Sequence, residues 1–203
     1  SNHVTAPAAN NGILEAGGEG VAVDGMLGPA HVSTIIGTRP YEPYAAQYRL
    51  PVVVTGFEPL DVVAAVRMLV RQINAGEARV ENEYGRAVAA EGNPKARALV
   101  EEVFAVRDSF AWRGLGTLPR SGLMLAEAHA HRDAERVLDL DTPDVPDPRS
   151  CECAAIVRGL KRPAECRLFG NGCTPDTPVG ACMVSSEGAC AAHWTYGRFR
   201  ETA

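Results

Sequence analysis

Two hydrophobic periods run through the first hundred residues. GVAVDGML (20–27) is a short apolar run rich in valine and bounded by glycines, the pattern of a buried strand. PVVVTG (51–56) repeats it, opened by Pro51 and closed by Gly56. The period then changes. In EPLDVVAAVRMLVRQINAG, residues Val62, Val63, Val66, Leu69, Val70 and Ile73 fall on one helical stripe, which predicts a helix with that stripe in the core. Pro59 suits its first turn and Gly76 a left-handed stop. Strands followed by helical pattern predict an α/β fold with a parallel sheet of βα units.

The middle of the chain is mixed. EGNPKARALVEEVFAVRD offers Asn93 as a cap, Pro94 at the first helical position, and a stripe of Ala96, Leu99, Val100, Val103 and Phe104. FAWRGLGTLPRSGL (110–123) is rich in glycine and turn signals, with little period of either kind. DLDTPDVPDP (139–148), with four aspartates and three prolines, reads as a solvated linker.

With 203 residues, the chain can bury a real core. A formal net charge of −5 and no run of Lys and Arg argue against non-specific nucleic-acid binding. The longest aliphatic runs are far too short to span a bilayer. No signal peptide is visible, which predicts a reducing cytoplasm, where clustered thiols are more often metal ligands or redox groups than staples. The chain opens at SNHVTAPAANN without an initiating Met, so it is expected to be a piece of a longer protein.

Composition matters most after Ser150. Six cysteines follow it and none precedes it: Cys151, Cys153, Cys166, Cys173, Cys182 and Cys190, spaced C-x-C-x12-C-x6-C-x8-C-x7-C. Zinc ribbons generally carry two C-x2-C knuckles, and this spacing has none. Disulfide scaffolds distribute their cysteines over the fold, whereas a long cysteine-free region precedes these. An iron–sulfur cluster needs four thiolates around a compact core, and the glycines and prolines of LFGNGCTPDTPVGAC let backbone wrap closely around one. Four taken from six leave two. In an extended C-x-C the side chains share one side, roughly 6–7 Å apart at the backbone. One can then ligate iron while its neighbour belongs to a dithiol just outside. Spacing alone leaves cluster, zinc and disulfides all open.

Several blocks together resemble the HypD family of nickel–iron hydrogenase maturation factors: GPAHVSTIIG (28–37), GFEPLD (56–61), ENEYGRAVAAEGN (81–93), FAWRGLGTLPRSGL (110–123) and CECAAIVRGLKRPAECRLFGNGCTPDTPVGACMVSSEGACAA. The resemblance implies a scaffold protein in the assembly of the Fe(CN)2CO group, which would be its transient cargo. It also implies two similar α/β domains and a third domain with a 4Fe–4S cluster, in surroundings similar to those of ferredoxin–thioredoxin reductase. Carried onto this chain, Cys151, Cys166, Cys173 and Cys190 would hold the cluster, and Cys153 and Cys182 would form the adjacent dithiol. A HypC-type chaperone and a HypE-type cyanide donor would be the partners. The metal centre would perform much of the chemistry, so scaffold and enzyme are not sharply distinct.

Two motifs expected of a complete member are missing, a CGxHxH-like iron-binding segment and a GPGCPVC-like redox pair. The expectation is therefore a C-terminal portion. It would comprise an α/β domain at 1–80, part of a Rossmann-like domain, and a mixed α+β iron–sulfur domain at 81–203 with its cysteine-rich segment at 150–193. Ala30 stands where glycine is more usual in the family, and His193 where an aromatic residue is.

Four further positions carry candidate chemistry. His31 follows a strand and a Gly-Pro turn, where a βα loop faces the ligand crevice of an α/β sheet; the alternative is a capping histidine. Glu187 in SSEGAC is either a proton donor or acceptor beside the thiols or a helix-start carboxylate. Glu58 and Asp61 of GFEPLD fit either partner orientation or ordinary chemistry at a helix start. His129 and His131 read as a solvated pair, and Trp112 and Arg113 as packing at a junction. The competing function class is a zinc- or disulfide-stabilised interaction module with no redox role.

Overall fold

The computed structural model describes residues 6–15, 21–138, 146 and 148–197. The linker expected at 139–148 lies largely outside the described residues. In chain order the elements are α1 (Ala6–Glu15), β1 (Met26–Pro29), α2 (Ala30–Ile36), α3 (Glu42–Tyr48), β2 (Val52–Thr55), α4 (Pro59–Ala75), β3 (Val80–Asn82), α5 (Pro94–Val103), β4 (Phe104–Val106), β5 (Ser109–Trp112), β6 (Gly116–Pro119), β7 (Leu123–Leu125), α6 (Ala134–Val137), α7 (Cys153–Val157), α8 (Ala181–Val184) and α9 (Ala189–Tyr196).

The β1, β2 and β3 strands form a parallel sheet in that order, with Met26 opposite Val52 and Val52 opposite Val80. Its central strand is valine because both faces are covered. Val52 and Val54 point into one core with Ala30, Tyr41, Tyr44 and Val88, while Val53 points into another with Ala65 and Leu69. Tyr84 packs against the first core, so the expected boundary at residue 80 falls inside a strand of this sheet. Two antiparallel pairs follow, β4 with β7 and the hairpin β5–β6. The hairpin turns at Gly114, φ +79°, and Trp112 Nε1 donates to the buried Ser121 Oγ at 2.7 Å. The α1 helix bridges the parts: the Tyr44 hydroxyl donates to the Pro7 carbonyl at 2.6 Å, and a Cβ on Gly12 would sit 3.0 Å from Leu118.

Two sequence expectations are corrected here. The strand expected over 20–27 begins only at Met26, because the Asp24–Gly25 turn interrupts the run. A Cβ on Gly25 would crowd Leu69 at 3.1 Å, so the chain reaches the sheet only past this point. The second correction concerns α4. Its limits, Pro59 at the start and left-handed Gly76 at the stop, are as expected, but its stripe is not core. Val63 is 66 % exposed, Val66, Val70 and Ile73 are also exposed, and Leu69 at 8 % is the stripe's buried member. The face that packs carries Asp61, Ala65, Leu69 and Gln72. Polar residues can take that face because they are partnered. Gln72 Oε1 accepts from the Arg79 amide and its Nε2 donates to Glu81, each at 2.8 Å. Small Ala65 lets the helix approach Val53 closely. Among α5 residues none is buried either, although Asn93 caps it as expected, accepting from the amides of Lys95 and Ala96.

Candidate functional site: a thiol chamber and a strand-end cavity

All six cysteines are free thiols and line a single chamber with Ile156, Leu168, Phe169, Gly180 and Met183. Five are buried and Cys151 is half-buried. Short elements deliver them. C-E-C is not extended as expected: Glu152 takes φ −103°, ψ 22° and Cys153 opens α7, so the motif turns into a helix. The chain leaves α7 through Gly159, φ +74°, where a Cβ would lie 2.6 Å from the Ala22 carbonyl. At the same place the Ala22 amide donates to the Arg158 carbonyl at 3.0 Å. Cys166 closes a 3-10 turn over Pro163–Glu165, and Cys173 bridges to Phe169. Cys182 lies in α8 and Cys190 in α9, joined by a turn in which a Cβ on Gly188 would overlap the Cys182 carbonyl.

The sulfurs pack on one another and on backbone. The Cys182 Sγ donates to Cys190 Sγ at 3.0 Å, and the Val179 amide donates to Cys173 Sγ at 3.4 Å. A Cβ on Gly180 would overlap the Cys151 sulfur, and one on Gly114 would meet Cys153 Sγ at 3.2 Å. Burial pushes the Cys151 and Cys190 thiols above their usual range, and in Cys190 the Cys182 hydrogen bond partly opposes this. Both are therefore protonated near neutrality until a cation displaces the protons. About 10 Å3 between the side chains is open to the centre of a water, roughly the least that admits one. A bound group would have to push the sulfurs apart. Among the described residues no three His, Cys, Asp or Glu side chains converge on one ion position. Several thiols lining one chamber, with no three on a common ion position among the described residues, suit a polynuclear group better than a single ion, because each thiolate can take a different metal atom.

A second cavity, about 390 Å3, lies at the carboxyl ends of the parallel strands, where open α/β sheets bind ligands. His31 and Thr34 of α2, Phe57 and Glu58 after β2, and Tyr84 after β3 line it with Ala30 and Gly56. Ala30 opens α2 with ordinary right-handed backbone, so glycine is not required there. His31 is exposed, with its ring 5.3 Å from that of Phe57. One wall is a charged knot. Arg86 donates to Asp61 at 2.6 and 3.1 Å and to Glu58 at 3.2 Å, and it lies 3.9 Å over the Tyr84 ring. The Tyr84 hydroxyl donates to Glu58 at 3.2 Å. The Arg86 guanidinium holds the Asp61 carboxyl below the usual carboxylate range. Burial first, and then the Asp61 charge, pushes Glu83 up, and one of its oxygens is sealed from solvent without a partner.

The structure thus gathers the six cysteines and sets His31 in a separate cavity that shares no lining residue with the chamber. Glu187 is exposed in the α8–α9 turn and does not line the chamber. Its amide donates to Ser185 Oγ at 3.2 Å. His129 and His131 sit in a 3-10 turn over Glu127–Arg132, where His131 Nε2 accepts from Arg132. Sequence reasoning missed Arg86, which organises Glu58, Asp61 and Tyr84. A lone arginine within ENEYGRAV carries no local signal of partners some 25 residues upstream.

The HypD family profile, described as the hydrogenase formation hypA family, matches residues 1–197. The chain is 57 % identical over 204 residues to the hydrogenase maturation factor HypD1 of Bradyrhizobium diazoefficiens, covering 98 % of this chain and 54 % of that protein. It is 55 % identical over 203 residues to HypD of Cupriavidus necator, with the same coverage. With HypD of Rhodobacter capsulatus the identity is 43 % over 203 residues, covering 98 % of this chain and 53 % of that protein. The chain spans about half the length of the curated relatives it matches.

Proposed function

Since this chain belongs to the HypD family of hydrogenase maturation factors, we propose that it supplies the iron–sulfur and thiol redox module for assembling the Fe(CN)2CO group. The observation that carries this reading is the convergence of all six thiols on one enclosed chamber that, among the described residues, no other ionisable side chain lines. In this reading Cys151, Cys166, Cys173 and Cys190 hold a 4Fe–4S cluster. Glycine at 180 leaves the Cys151 sulfur its place, and the Val179 amide is aimed at the Cys173 sulfur. The cluster, when bound, supplies one-electron transfer.

Cys153 and Cys182 form the working dithiol. Closing it would break two S–H bonds, form one S–S bond, and release two protons and two electrons, which an external electron acceptor would have to take up. Cys190, if it held iron, would give up the thiol contact it now accepts from Cys182. His31 and Glu58 line the cavity at the strand ends, which receives the cargo iron group as substrate, with His31 placed to hold or pass a proton. The partners are a HypC-type chaperone and a HypE-type cyanide donor, and the setting is the cytoplasm. Among the described residues no helix is long and apolar enough to cross a membrane.

Anaerobic purification tests the reading. Brown protein with iron and sulfide near four per chain is expected, whereas colourless anaerobic protein with stoichiometric zinc would establish the interaction-module alternative. Cys166→Ser should abolish iron binding and Cys153→Ser should leave it intact. Equal loss in both variants would refute the division of labour.

A further inference from the structure

Glu152 stands between the first two thiols and caps α7, its carbonyl accepting from the Ala155 and Ile156 amides at 3.1 Å. Its carboxylate is only partly exposed, and its Oε1 pairs with the Lys161 ammonium. The other oxygen, Oε2, is sealed from solvent with no partner at full hydrogen-bonding distance. The two chain neighbours of Glu152, Cys151 and Cys153, both line the chamber. Lys161 reaches Glu152 because the left-handed Gly159 folds the chain back, with the Leu160 amide donating to the Ala155 carbonyl at 2.9 Å. Two neighbouring charged side chains have partners of their own. Arg158 Nε donates to the Ala154 carbonyl at 3.1 Å, and Glu165 accepts from the Arg162 amide at 2.6 Å.

We infer that Glu152 and Lys161 form a charge pair that sets the electrostatic potential inside the thiol chamber, with Lys161 as the positioning residue that holds the carboxylate at its rim. The inference rests on the reading of the chamber as an iron–sulfur site. A fixed negative charge beside the chamber favours the oxidised, more positive form of whatever the thiols hold. The lysine cation cancels much of that bias while the pair is intact. The two residues therefore act in opposite directions on one quantity, the reduction potential. The low dielectric of the chamber wall makes each charge count for more than it would in water.

The test is redox titration of the anaerobic protein, followed by visible absorption, with iron and sulfide assayed on every sample. Lys161→Met should lower the midpoint potential, Glu152→Gln should raise it, and the double variant should return close to the starting value. Lys161→Arg should retain it. A purely structural role would remove iron without producing shifts of opposite sign. Full iron and sulfide in both single variants, with potentials unmoved or moved in the same direction, overturns the inference while leaving the cluster reading intact. If Lys161→Met fails to hold iron, the nearly isosteric Glu152→Gln decides alone: an upward shift supports the pair and no shift refutes it. Unaltered protein without iron overturns the cluster reading, and this inference with it.

Discussion

Replacing Gly180 by alanine isolates the packing of one sulfur. Gly180 has φ −101° and ψ 154°, extended backbone that alanine adopts freely, so no conformational strain enters. The added Cβ would overlap the Cys151 sulfur, while its next contacts, Cys153 Cβ at 3.7 Å and Cys151 Cβ at 3.8 Å, are ordinary. To restore van der Waals distance the sulfur must retreat by about 1 Å. Overpacking of this size costs roughly 1–3 kcal/mol, and for a chain of this length each kcal/mol lowers Tm by roughly 2–4 °C. The expected fall is therefore roughly 2–12 °C, read by circular dichroism on metal-free, reduced protein. The same displacement should lower iron content under anaerobic reconstitution. Gly85→Ala is the control, because the nearest atom to its added Cβ is Asn82 Nδ2 at 4.0 Å. If Gly180→Ala melted with the unaltered protein and bound the same iron, Cys151 would not lie where the chamber requires it.

On α4, Val63→Ser should change stability by no more than about 0.5 kcal/mol, whereas Leu69→Ala should lose about 2–5 kcal/mol. Urea denaturation compares them, and similar losses would mean that the exposed stripe is covered after all. Acid titration separates two carboxylates. Asp61, held down by Arg86, stabilises the fold above the range where a free aspartate titrates, about pH 3.9, and that stability disappears as the pH falls toward its lower folded value. Glu83 is pushed up, so its folded form holds the proton more tightly and stability declines as pH rises above about 4.3. Asp61→Asn should flatten the lower limb of the stability–pH curve and, by removing a charge that pushes Glu83 up, shrink the upper one, whereas Glu83→Gln should flatten the upper limb and raise stability near neutrality. A lower limb left unchanged by Asp61→Asn, or an upper limb left unchanged by Glu83→Gln, would contradict the two environments.

What the sequence disclosed follows the range of the forces involved. The β2 strand was legible because three valines between Pro51 and Gly56 need a sheet covered on both faces. The ends of α4 and the Asn93 cap were legible because proline, glycine and asparagine act on backbone within a turn or two. The face of α4 was not legible, since Asp61 and Gln72 become core residues only through Arg86 and through Arg79 with Glu81, which other segments supply. The β5–β6 hairpin hid for the same reason: its four-residue strands alternate weakly, and pairing rather than pattern defines them. The thiol group was conspicuous in the sequence, but the sulfur contact between Cys182 and Cys190 was not. That contact depends on how Gly188 lets the turn fold onto the preceding carbonyl.

The amide of Ala22 reaching the Arg158 carbonyl has a kinetic corollary. It ties the approach to the first strand to the segment that carries the first two thiols, across most of the chain. A contact between stretches so remote in sequence gains its enthalpy only after a large loop has closed. On a growing polypeptide it has to await the synthesis of residue 158, whereas the valine sheet needs the chain only as far as Asn82. The stitch between the two parts is thus made late in folding.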